Sequence, residues 1–354
     1  MTSSPLKLRP SKKLQMQTKA GLPTTSRAGY KHKQCRHRQE GAGRSKFGGV
    51  WKELRGGHPE VGRATWFAEA GCKQEVPGNW GDRLLTMKFL QLFGTVKPIV
   101  IGMVHVKALP GTPGSRLPVA QIIEEACHEA EIYKNAGIDG IMVENMHDIP
   151  YTFNTGPEIT ATMATICTAV KQACPHLPLG VQILSCANNQ ALAVALAAGL
   201  DFIRAEGYVF SHVADEGFVN ACAGDLLRYR KAIGAEHIQI FADIKKKHSS
   251  HAVTADMSVS ETAKAAEFFL ADGLILTGTS TGQEADQRDL KECGQSVRIP
   301  VLIGSGVTLG NMEKYIDANG FIIGSYFKKD GHWSNSVVYD KVSSFMDKVK
   351  KLRK

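Results

Sequence analysis

The chain has 354 residues, 43% of them hydrophobic and 22% charged, which is enough for one large domain with a sizeable core or for two smaller ones. The formal net charge of +9 belongs to the first 86 residues, where 17 Lys+Arg face 6 Asp+Glu; residues 87–354 hold 26 against 28. That distribution excludes a basic nucleic-acid-binding body, and no window reaches the roughly 18 continuous apolar residues that a membrane-spanning helix needs.

Residues 1–86 are rich in Gly, Ser, Thr, Lys and Arg, carry no acidic residue before Glu40 and show no sustained period of 2 or 3.6. They read as a disordered basic leader. The acid-poor start resembles a mitochondrial transit segment, although Pro5, Pro10 and Pro23 interrupt any long amphipathic helix. The alternative is a flexible tail, or an upstream extension preceding a natural start at Met87. The expected compartment is the cytoplasm, or the mitochondrial matrix if the leader is a targeting segment. Eight cysteines, at 35, 72, 127, 167, 174, 186, 222 and 293, form no C-x-x-C pair and no zinc-type spacing. They read as free thiols in a reducing compartment.

From Met87 onward, short runs rich in Val, Ile and Leu alternate with amphipathic segments, the signature of a parallel α/β fold. The predicted strands are PIVIGMV (98–104), GIMVE (140–144), LGVQI (179–183), DFIRA (201–205), IQIFAD (238–243), GLILT (273–277), PVLIG (300–304) and GFIIG (320–324). Helical patterns lie at 119–137, 158–174, 190–199, 259–273 and 337–352, and Gly137, Gly199 and Gly273 each follow one, as left-handed helix caps. Eight β/α units over residues 87–354 predict one soluble (β/α)₈ TIM barrel of phosphate-binding type, with the leader outside it. An open doubly wound sheet is the runner-up; it fits less well because no G-x-G-x-x-G follows the first strand.

In such barrels the residues just past the carboxyl end of each strand converge on one mouth. Here they are His105 after the first strand, Glu144 and Asn145 after the second, Arg204 and Glu206 at the fourth, Asp243 and Lys245 at the fifth. Thr277 and Gly278 follow the sixth, Gly304, Ser305 and Gly306 the seventh, Gly324 and Ser325 the eighth. The two glycine turns carry the phosphate expectation: glycine lets backbone N–H groups approach an oxyanion, and Thr308 is placed to cap a helix whose dipole would reinforce them. Strand parity puts Asp243 and Lys245 on one side as a carboxylate–ammonium pair, with Lys245 a proton donor, an electrostatic clamp or a Schiff-base nucleophile. Arg204 and Glu206 share parity and read as an ion pair shaping the mouth. Lys247 and His248 are weaker candidates, in what is also a plausible solvated basic loop. His105, Glu144 and His248 leave a divalent metal open, but their spacing is not diagnostic and no cofactor is predicted. Residues 147–158 and 277–282 suit lids over the site, or ordinary surface loops.

With these residues in view, the segments VIGMVHVKALPGTP, GIDGIMVENMHDIPY, FIRAEGYVFSHVADEGF, IFADIKKKHSSHA, LILTGTSTG, PVLIGSGVTLGN and GFIIGSYFKKDGHW resemble the BtpA family, from about residue 97 to the end. That family includes SgcQ-like bacterial proteins and a cyanobacterial photosystem I biogenesis protein. The resemblance implies the barrel fold and transfers no residue roles. Similarity to ribulose-phosphate-binding barrels extends only to the turns at Gly304–Gly306 and Gly324–Ser325. The expected function is an enzyme acting on a small phosphorylated sugar or nucleotide-like metabolite, by lyase, isomerase or glycosyl-transfer chemistry. His105, Glu144, Asp243 and Lys245 would surround the reacting centre, and a homo-oligomer is left open. The competing class is a non-catalytic barrel that assembles or stabilises a protein complex.

Overall fold

The computed structural model describes residues 80–95 and 97–353, so the expectations for residues 1–79 lie outside the described residues. The strands are β1 (Ile99–His105), β2 (Gly140–Glu144), β3 (Leu179–Gln182), β4 (Phe202–Ala205), β5 (His212–Ala214), β6 (Gly217–Val219), β7 (Gln239–Asp243), β8 (Ser249–Ser250), β9 (Gly273–Leu276), β10 (Val301–Ile303) and β11 (Gly320–Ile323). Eight of them close a barrel in the order β1-β11-β10-β9-β7-β4-β3-β2, with every neighbouring pair parallel. These are the eight predicted strands, and the open-sheet alternative is ruled out by the closure.

Two-residue strand periodicity divides the core into two layers. Ile99, Ile101, Met103, Met142, Phe202, Phe241, Ile275, Leu302 and Ile322 form one buried cluster, the filling of the barrel. Residues of opposite parity, such as Val100, Val104, Val143, Ile203 and Ile240, join a second cluster against the helices α2 (Val119–Asn135), α3 (Pro157–Ala173), α4 (Asn188–Ala198), α5 (Ala223–Ala232), α6 (Val259–Phe268), α7 (Gln287–Ser296) and α8 (Tyr339–Leu352). The next residue of lumen parity on each strand is therefore the one that faces the mouth. From β1, β2, β4 and β7 these are His105, Glu144, Arg204 and Asp243; after β9, β10 and β11 they are Thr277, Gly304 and Gly324.

The helix α1 (Trp80–Phe93) crosses the domain boundary expected at residue 87. Its Phe89 is fully buried in the lumen cluster, with ring centroids 4.8 Å from Phe93 and 6.2 Å from Phe241. Gln239 donates through Nε2 to the Lys88 carbonyl at 2.9 Å, and Lys88 pairs with Asp272 at 2.9 Å. The helix thus packs on the end of the barrel remote from the mouth.

Two local expectations are corrected, and one small sheet is added. Gly199 and Gly137 are left-handed at helix ends, with φ of 66° and 76°, but Gly273 is not. The residue that turns left-handed after α6 is Leu270, and Gly273 lies within β9, where a Cβ would meet the Phe241 ring at 2.7 Å. After β10 no full helix forms, only a 3-10 turn at Met312–Tyr315, and Thr308 caps nothing. Asn311 holds this loop by accepting from the Thr308 N–H at 2.7 Å and donating to the Gly306 carbonyl at 2.8 Å. The small antiparallel sheet β6-β5-β8 was not predicted, because strands of two or three residues carry no readable period.

Candidate functional site

The polar layer opens into a cavity of about 500 Å³ lined by residues from all parts of the barrel rim. Its floor runs from charged groups on β1, β2, β4 and β7 to a glycine wall on β10 and β11.

His105 and Glu144 sit side by side, paired across β1 and β2, with His105 Nε2 3.4 Å from Glu144 Oε2. His105 Nδ1 lies 2.9 Å from the Trp333 carbonyl oxygen. A carbonyl can only accept, so Nδ1 carries the proton and Nε2 keeps its lone pair. Burial, and then the nearby Lys328 ammonium, hold the imidazole well below its usual range, so it is neutral at physiological pH. Burial raises the Glu144 carboxyl above the ordinary carboxylate range, against the pull of Arg204 and Lys247. A neutral imidazole and a carboxyl inclined to hold its proton are a base and an acid within reach of one reacting centre.

Arg204 and Asp243 form the buried ion pair of the layer, Nε lying 3.1 Å and 3.0 Å from the two carboxylate oxygens. The expected Arg204–Glu206 pair is thereby corrected: Glu206 pairs with Lys246 at 3.2 Å and accepts from the Cys186 N–H at 3.0 Å. Burial pushes Glu206 upward, but Lys246, the Cys186 N–H and Arg204 outweigh it and keep the carboxylate ionised.

The expectation for Lys245 is also corrected. β7 ends at Asp243, and Lys245 has a φ of 45°, so strand parity no longer applies. Its Nζ donates to the Thr254 carbonyl at 3.3 Å, beside a minor crevice and away from the main cavity. Lys247 takes the place expected of it in the cavity lining. Burial and then Arg204 bring its ammonium down to about 8. Its Nζ makes no hydrogen bond or ion pair among the described residues. His248 stands at the rim with Nε2 3.0 Å from Thr281 Oγ1.

Gly304, Ser305, Gly306, Gly324 and Ser325 line the opposite wall. Gly304 packs against Ile275, whose Cγ2 would be 2.6 Å from an added Cβ, and Gly306 has φ of 73° with a Cβ position 2.3 Å from the Gln283 carbonyl oxygen. The loop therefore requires glycine for its own packing. The backbone N–H groups of residues 305, 306 and 307 donate to no protein acceptor among the described residues, while those of Gly304 and Thr308 on either side are satisfied. Three successive N–H groups without a protein acceptor, on residues that line the cavity, are the donors that a backbone nest for an oxyanion would need. The helix dipole expected to assist is absent, since only the 3-10 turn follows.

Asn145, Thr277 and Gly278 support the site without lining the cavity. Asn145 is buried and braces the rim loops, donating to Asp148 at 2.8 Å and accepting from the Leu184 N–H at 2.7 Å. Thr277 Oγ1 accepts from the Lys247 N–H at 3.1 Å, and the Gly278 N–H donates to Ser305 Oγ at 2.7 Å. Ile149 and Tyr151 from the first expected lid, with Met146 just before it, and Thr281 and Gly282 from the second line the cavity. Sequence reasoning missed Gln182, Lys246, Trp333 and the Asp215–Glu216 turn between β5 and β6, all in the lining. Gln182 was readable, since it lies within the predicted strand 179–183 at lumen parity; it is 2% exposed and its Oε1 has no hydrogen-bond partner. Trp333 lies far beyond any strand end and had no such signal.

Among the described residues no group of three or more His, Cys, Asp and Glu side chains is arranged to hold a metal ion. Asp243 and Glu206 are already neutralised by Arg204 and Lys246. The six cysteines among the described residues are free thiols, and no described helix is long and apolar enough to cross a membrane.

The family model described as "BtpA family" matches residues 95–351. An uncharacterized mitochondrial protein of Caenorhabditis elegans is 48% identical over 269 residues, 75% of this chain and 97% of its own. The photosystem I biogenesis protein BtpA of Synechocystis is 33% identical over 264 residues, 74% of this chain and 91% of its own. Among solved structures, phosphoribosyl anthranilate isomerase from Thermus thermophilus aligns with a TM-score of 0.45 at 11% identity, over 72% of this chain and all of that one.

Proposed function

The chain belongs to the BtpA family, and from that starting point we propose that it is an enzyme acting on a small phosphorylated sugar or nucleotide-like metabolite, by lyase, isomerase or glycosyl-transfer chemistry. One observation carries this reading: the free N–H groups of residues 305–307 share a cavity with the His105–Glu144 pair. The unclaimed N–H groups favour a phosphate-bearing ligand; the neutral imidazole beside a carboxyl raised by burial favours proton transfer at the part held between them. A cavity of about 500 Å³ has room for a ligand of that size.

The test is the thermal midpoint of the full chain against a panel of phosphorylated metabolites and their dephosphorylated counterparts. Stabilisation that depends on the phosphate, follows mass action and is lost in Gly306→Ala supports the reading. If no phosphorylated compound moves the midpoint, the reading fails.

A second reading, an assembly or stability factor, is favoured by a different surface. Phe268, Phe269 and Leu270 at the end of α6 are 81%, 44% and 63% exposed, an apolar cluster remote from the mouth. Substituting all three with Ser would abolish partner capture under this reading and leave ligand binding intact under the first. The mitochondrial relative and the acid-poor leader together favour a mitochondrial matrix location over the cytoplasm. A fusion carrying the whole leader would report it by microscopy.

A further inference from the structure

Three consecutive lysines follow β7, and their side chains meet three different fates. Lys245 donates to a backbone carbonyl outside the cavity, and Lys246 is buried against Glu206. Lys247 lines the cavity with no hydrogen bond or ion pair from Nζ among the described residues. The groups that act on its charge are Arg204, Glu144, Asp243 and Glu206. Glu144, Arg204 and Asp243 lie on β2, β4 and β7, with Glu206 just beyond β4, and all four line the same cavity as Lys247. The oxyanion nest follows β10, separated from β7 by β9. A lysine serving only to clamp phosphate would belong at that nest, whereas this one stands with the acid and the base.

We propose that Lys247 is the nucleophile of an imine-forming step, and that the mouth takes phosphorylated aldehydes or ketones of sugar size. This rests on the enzyme reading above and adds covalent chemistry to it. The neutral amine adds to the carbonyl carbon while the carbonyl oxygen takes the Glu144 proton; the nitrogen returns one proton to Glu144, leaving a neutral carbinolamine. Glu144 then protonates the hydroxyl, which departs as water as the nitrogen lone pair forms the C=N bond. The product is a protonated imine and a Glu144 carboxylate. With Nδ1 protonated toward the Trp333 carbonyl, His105 Nε2, beside Glu144, has the lone pair to accept a proton from the carbon next to the imine, giving an enamine. No oxidant or reductant is needed. Burial acts on both partners in the direction the step needs: it lowers the Lys247 ammonium to about 8 and raises the Glu144 carboxyl above its ordinary range.

The full chain is incubated with dihydroxyacetone phosphate, ribose 5-phosphate and ribulose 5-phosphate, each with and without sodium borohydride, and adducts are mapped by peptide mass spectrometry. The expected result is a borohydride-dependent adduct at Lys247 with at least one probe, roughly tenfold or more above Lys245 and Lys246. Lys247→Arg keeps the charge, cannot condense, and should lose the adduct while still being stabilised by the same probe. Lys247→Met is the second variant, should the larger guanidinium disturb folding. A probe that stabilises the wild type but leaves Lys247 unlabelled overturns the imine step and leaves the phosphate reading standing. Adducts spread evenly over surface lysines also overturn it, and absence of both labelling and stabilisation overturns the two readings together.

Discussion

The Nδ1–H of His105 donates to the carbonyl oxygen of Trp333 at 2.9 Å, tying the end of β1 to a residue 228 positions later. Gly324 stands against the same ring: a Cβ there would lie 3.0 Å from His105 Cε1 and 3.2 Å from Nε2. Gly324→Ala should therefore displace the imidazole from its Trp333 contact. The expected cost is on the order of 10²-fold in turnover for a misplaced acid–base group and about 1–2 kcal/mol in stability. Imidazole ¹⁵N shifts read the tautomer before any substrate is known, and an unchanged spectrum would refute the coupling.

Asp243→Ala should be among the most damaging substitutions in the barrel, because it leaves the Arg204 guanidinium buried without its partner. The expected loss is about 3–5 kcal/mol in urea unfolding. Replacing both residues with apolar ones of similar volume should recover much of it. Equal loss in the single and double variants would show that the pair is not the source.

Gly306→Ala must either strain a left-handed backbone or push away the Gln283 carbonyl. We expect about 1–3 kcal/mol of destabilisation and loss of stabilisation by inorganic phosphate. Retained phosphate binding would place the anion elsewhere.

Two groups predict opposite ends of the stability–pH curve. His105 has a folded pKa well below that of the unfolded chain, so the unfolded state binds more protons below about pH 6.5 and stability falls as pH drops through that range. Lys247 titrates at about 8 in the fold, against about 10.4 unfolded. Its burial therefore costs stability below about pH 8, and the cost is relieved as pH rises toward about 10.4. Across that window the wild type should gain up to about 3 kcal/mol relative to Lys247→Met, less where solvent screens the amine. A flat difference curve would refute the burial of this lysine.

Phe89→Ala in α1 should cost about 3–5 kcal/mol, the penalty for a large ring removed from a closed apolar cluster. Chemical denaturation measures it. A negligible effect would mean that α1 is not part of the folded unit.

The mouth was legible where strand periodicity persists. His105, Glu144, Arg204 and Asp243 each stand two residues beyond a lumen hydrophobic, so period 2 alone places them together. It failed at Lys245, where the chain leaves the strand with a positive φ and the next two lysines take over the rim and the cavity. It failed also for the partner of Arg204, because shared parity within β4 says nothing of which neighbouring strand supplies the counter-charge.

The sequence by itself determined the eight barrel strands, their inward and outward faces and the ring of polar residues at their carboxyl ends, because these follow from local periodicity and chain connectivity. Only the tertiary structure decided the His105 tautomer, the pairing of Arg204 with Asp243 and Glu206 with Lys246 and, among the described residues, the unpaired state of Lys247 and the free N–H groups of residues 305–307. Each depends on distances of a few ångströms between segments remote in the chain, set by barrel closure and loop packing, and no local pattern encodes them.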